Sequence, residues 1–67
     1  MTNFDLLNKK IRERGLSMTE LSRRTGILRA TLYNRLAGVG EFTASEIVAL
    51  TKCLELSVVE RDQIFLN

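Results

Sequence analysis

Three times in this chain a Ser or Thr is followed three residues later by Glu: Ser17 and Glu20, Thr43 and Glu46, Ser57 and Glu60. At this spacing a hydroxyl accepts from a free amide at a helix start while the carboxylate reaches back to the cap residue. Thr2 and Asp5 repeat the pattern with the shorter acid. Leu16 with Leu21, and Phe42 with Ile47, add the paired apolar positions that fix how a chain enters a helix. No proline interrupts these segments, and Leu and Ile recur at helical rather than alternating spacing, which predicts an all-α chain.

Five helices in one domain over residues 1–67 are expected. The first runs from about Phe4 to Glu13, with Phe4, Leu7 and Ile11 on one face, and stops at Gly15. The second starts after Ser17 and lasts about two turns, because Gly26 can take the left-handed conformation that closes a helix. The third, about Leu28 to Ala37, turns Leu28, Leu32 and Leu36 inward and pairs Ile27 with Leu32. It alone lacks a side-chain cap, since Leu28 occupies the capping position. After a Gly38–Val39–Gly40 loop, the fourth helix, about Ala44 to Glu55, buries Ile47, Leu50 and Leu54 with Cys53 beside them. The fifth runs to about Leu66 and offers Val59, Ile64 and Phe65 for packing. Phe65 and Leu66 either close the core or stay exposed for a partner.

Composition narrows the function classes. A hydrophobic share of 45% with 27% charged residues is that of a chain that folds unaided. No apolar run approaches the roughly 20 residues that span a bilayer, and MTNFDLLNKK lacks the order of a signal peptide, so no membrane partner and a cytoplasmic location are expected. Cys53 stands alone and histidine is absent. No disulfide, metal site, cofactor or catalytic residue is therefore expected, and an enzyme is the weakest reading. Residues 1–40 carry eight basic and three acidic side chains, a balance of +5, and residues 41–67 carry two and five, a balance of −3. One end would then attract a polyanion and the other repel it, unless the charges are scattered over solvated faces.

The stretch SMTELSRRTGILRATLYNRLAG places two short helices around a tight turn, and the second presents Arg29, Ala30, Tyr33 and Asn34 outward. That is what the DNA major groove demands of a helix: short polar groups outside and an inner face locked by a companion. Arg pairs with the O6 and N7 of guanine, Asn with the N6 and N7 of adenine, and the methyl of Ala or Thr meets that of thymine. Arg29, Asn34, Ala30 and Thr31 supply these groups. Tyr33 either packs on the first helix or joins the readers. The N-terminus of the second helix, at Ser17, Met18 and Thr19, offers free amides and a positive dipole end to phosphate. Arg35 and the Val39 loop are further candidates for the sugar–phosphate backbone, whereas Arg23 and Arg24 read as a solvated face.

LSMTELSRRTGILRATLYNRLAG followed by FTASEIVALTKCLELS resembles the Cro/repressor-type helix-turn-helix of phage regulators, especially short regulators of phages and mobile elements in Gram-positive bacteria. Leu16, Ser17, Leu21, Gly26, Ile27, Leu32, Gly38 and the LELS segment carry the resemblance, over about residues 4–60. It implies a compact five-helix domain of lambda-repressor-like type, with the helix-turn-helix formed by the second and third helices, and control of transcription. It also implies base reading at Arg29, Ala30 and Asn34, often joined by Tyr33. Three positions depart from the family pattern: Met18 replaces a common Gln, Leu28 a common Ser or Thr cap, and Arg35 a buried aliphatic residue whose place Leu36 takes.

Two functions follow. One is a sequence-specific regulator, a homodimer on a palindromic double-stranded operator. The other is a protein-binding modulator with the same fold, such as an antirepressor acting on a partner repressor or the antitoxin of a pair, for which Leu28, Met18 and the IFL end supply apolar surface.

Overall fold

A computed structural model describes residues 1–66. Among them are five helices and no strand: α1 (Phe4–Glu13), α2 (Met18–Thr25), α3 (Arg29–Leu36), α4 (Ala44–Cys53) and α5 (Val58–Phe65). No helix among the described residues is long and apolar enough to cross a membrane.

The helix starts follow their predicted signals unevenly. Thr43 with Glu46 and Ser57 with Glu60 close complete capping boxes. Ser17 accepts from the Glu20 amide at 3.1 Å, but the Glu20 carboxylate binds Arg23 at 2.7 Å instead of reaching back. At α1 the expected pair Thr2 and Asp5 is not the cap. Asn3 accepts from the Leu6 amide at 3.1 Å, one residue further on, and the Asn3 amide donates to Ile64 O at 2.7 Å. The chain start is thereby fastened to α5.

Leu7, Leu21, Leu32, Leu50, Leu54 and Ile64 are fully buried, one from each helix and Leu54 from the residue after α4, with Ile11, Ile27 and Phe65 completing the core. α2 lies against both α3 and α4, and α5 joins α1 to α4. Phe42, ahead of α4, meets Phe65 edge to face with ring centroids 5.5 Å apart, a favourable aromatic geometry. Cys53 is half-buried alongside this core. Two expected core positions fall outside it: Leu28 is 74% exposed and Val59 64%. Leu28 precedes α3 with a non-helical ψ of 140°, so helical spacing does not govern its direction, and Ile27 turns inward instead. Leu36 packs on the core, as expected.

Charge is arranged differently in space and in sequence. Lys10 pairs with Glu60, Arg14 with Glu55 at 3.2 Å, and Arg35 with Glu46 at 3.4 Å. Three cations of the basic stretch are thus matched by three acids of the acidic one, and the molecule is not divided into a basic and an acidic end. Lys10 donates a hydrogen bond to Glu60, and with the Ser57 amide this holds the Glu60 carboxyl at about 2, well below its ordinary value. The Lys10 ammonium is raised by the same bond.

Candidate nucleic-acid interface

The turn between α2 and α3 is built by hydroxyls as well as by glycine. Gly26 has φ 76°, a left-handed conformation that costs glycine nothing. Ser22 Oγ donates to Ile27 O at 2.6 Å, and Thr25 Oγ1 donates to Leu21 O at 2.7 Å while accepting from the Ile27 amide at 3.2 Å. The two side chains thereby tie the amide and the carbonyl of Ile27, in the turn, to the last turn of α2. The signal is legible in the sequence, since Ser and Thr within a turn of a closing glycine bond locally to backbone.

Beyond the turn, α3 contains 8 residues, about 12 Å of helix, and with its side chains an α-helix is about 10–12 Å across, which the major groove admits. Leu32 and Ile27 anchor its inner side. Arg29, Ala30, Tyr33 and Asn34 are all exposed, Ala30 and Asn34 almost opposite Leu32 and Arg29 and Tyr33 nearer the margin. Tyr33 is 55% exposed, so its ring is not core. The first turn of α3 has no acidic residue and no side-chain cap. Nothing there opposes a phosphate.

Arg29 Nη1 donates to Thr19 Oγ1 at 3.0 Å. The bond brings the start of α2 beside the start of α3. Ser17 and Thr19 are exposed, whereas Met18 is half-buried and packs on the core. The amides of Met18 and Thr19 make no hydrogen bond to another described residue, so this helix start presents backbone donors rather than the Met18 side chain.

Arg35 is the site residue whose setting differs most from expectation. Its guanidinium turns to Glu46 and donates to Val39 O at 3.4 Å, while Nε is buried without a hydrogen bond. Gly40 makes room for it: a Cβ at Gly40 would lie 2.5 Å from Arg35 Nη1. Arg35 therefore braces the loop after α3, and Val39, 60% exposed, is the part of that loop turned outward. Arg23 and Arg24 both face Glu20, and the hydrogen bond from Arg23 holds the Glu20 carboxyl below its ordinary value. Among the described residues Lys9, Arg12, Arg29 and Lys52 enter no ion pair. Of these only Arg29 lies on α3.

A family model described as helix-turn-helix matches residues 8–61, which takes in all of α2, α3 and α4. No curated protein and no solved structure matches the chain.

Proposed function

The chain belongs to the Cro/C1-type helix-turn-helix family of DNA-binding regulators, and on that premise we propose that it is a sequence-specific transcriptional regulator that inserts α3 into the major groove of an operator. The observation that carries this reading is the two-sidedness of α3. Leu32 is fully buried while Arg29, Ala30, Tyr33 and Asn34 stand exposed, Ala30 and Asn34 almost opposite it and Arg29 and Tyr33 nearer the margin. Arg29 reads guanine, Asn34 adenine, and Ala30 with Tyr33 lines the base edges between them. Met18 and Thr19 meet the sugar–phosphate backbone through their amides and Ser17 through its hydroxyl, and the Val39 loop, braced by Arg35, meets it at the other end of α3. The protein acts where that DNA is, in the cytoplasm of a bacterial or phage-infected cell, as a Cro-like or repressor-like factor.

A homodimer on a palindromic operator completes the proposal, with half-sites about one helical turn apart. Val58, Val59 and Leu66, each more than 60% exposed on or beside α5, supply the apolar surface for it. Selection of bound sites from random double-stranded DNA tests the whole reading. It predicts recovery of a two-fold symmetric consensus, and recovery of unenriched sequence would refute it.

The same exposed residues favour one second reading, a modulator that binds a partner repressor. Its surface is smaller than the sequence suggests, because Met18 packs on the core and Ile64 and Phe65 are buried. Titration of a DNA-bound repressor with no release of its operator would dismiss this reading.

A further inference from the structure

Leu28 runs against two preferences at once. At a helix start, Ser, Thr, Asp or Asn stabilises the first turn by accepting from its amides, which Leu cannot do. A large apolar side chain is ordinarily drawn into the core, yet Leu28 is 74% exposed while the adjacent Ile27, at 7%, fills the core position. Thr31 and the Ser45 and Ala49 side of α4 border a shallow depression beside Leu28 without covering it. Neither capping nor packing accounts for leucine here. Its place does suit a ligand: it stands at the leading end of α3, next to Arg29 and Ala30.

Among the groups that base edges present in the major groove, the 5-methyl of thymine is the apolar one; the rest are hydrogen-bond donors and acceptors. We infer that Leu28 is a specificity-determining residue that packs against a thymine methyl at the leading end of α3. This rests on the reading of α3 as the groove-inserted helix. Ala30, with a single methyl, reaches less far, and the isobutyl group of Leu28 removes more apolar surface from water on contact. Arg29 and Leu28 then read neighbouring positions by different means, one by paired hydrogen bonds and one by apolar contact.

The test uses a duplex recovered by selection from random DNA, in which each thymine is replaced in turn by uracil. That change deletes the methyl and leaves the hydrogen-bonding edge intact. Wild type, Leu28→Ala and Leu28→Ser are titrated with each duplex. At one thymine the change weakens wild-type binding about fourfold, the worth of one buried methyl, and leaves both variants unaffected. A melting temperature of Leu28→Ser at or above that of wild type separates this loss of discrimination from a loss of folding. Specific binding in which every thymine-to-uracil change affects wild type and Leu28→Ala by the same factor would overturn the inference alone. Equal wild-type affinity for selected and scrambled duplexes would overturn the regulator reading, and Leu28 with it.

Discussion

Thr19 Oγ1 accepts a hydrogen bond from Arg29 Nη1 at 3.0 Å, joining the first turn of α2 to the first turn of α3 across the Gly26 turn. Arginine loses considerable rotamer freedom when it is fixed on a base, and a partner that already holds the guanidinium reduces that loss. The contact makes Thr19 a positioning residue for Arg29.

Replacing Arg29 by Ala should cost about 1–3 kcal/mol of operator binding and relax one base position. Thr19→Ala should cost about 0.5–1.5 kcal/mol alone and almost nothing in the Arg29→Ala background, because the two act as a unit. Thr19→Ser should restore affinity. Titrations of wild type and the four variants on one duplex check this, and additive losses would mean that Thr19 acts independently of Arg29.

The end of α4 carries a correctable strain. Gly15, Gly26 and Gly38 take φ of 66°, 76° and 85° after α1, α2 and α3, but the equivalent residue after α4 is Glu55, at φ 52°. A left-handed non-glycine residue costs about 1–2 kcal/mol, and the largely exposed pair of Glu55 with Arg14 returns little of it. Glu55→Gly should raise stability by about 0.5–1 kcal/mol after the greater freedom of glycine in the unfolded chain is counted. In a domain this small that is a rise of roughly 2–8 °C in melting temperature, measurable by thermal denaturation.

Acid should weaken the junction of α1 and α5. Glu60 has an ordinary carboxyl value of 4.5 when unfolded and about 2 when folded. A depressed folded value gives stability that is present above 4.5 and is lost as pH falls towards 2. Lys10 is raised above 10.5, so its contribution is complete below that pH and is lost as pH rises through the folded value. Denaturant midpoints at pH 6 and pH 3 should fall further apart in wild type than in Glu60→Gln. An equal fall in both would show that Glu60 gives the folded state no acid-sensitive stability.

Thr43, Ser57 and Gly26 announce their helix ends because each signal is local: the bonds they make reach three or four residues along the chain. The features that escaped depend on distant neighbours or on competition. Asn3, rather than Thr2, caps α1, and the bond from its amide to Ile64 joins residues at opposite ends of the chain. Glu20 had a choice between a backbone amide and arginines one turn away, and took the charged partners, which make the stronger hydrogen bonds. Arg35 reads as a surface cation, and only the return of the chain at Glu46 and Gly40 makes it a brace. At the candidate site the outward set of α3 follows from periodicity, whereas Leu28 lies one step before the helix and escapes its rule.

Salt-dependent titration of the selected duplex and of its scrambled counterpart tests the central claim most directly. The account predicts affinity about 1,000-fold or more higher for the selected duplex at physiological salt. It also predicts that Asn34→Ala loses about 1–3 kcal/mol on the selected duplex alone, with discrimination relaxed at one base position. Equal affinity of the wild-type protein for both duplexes across the salt range would contradict it.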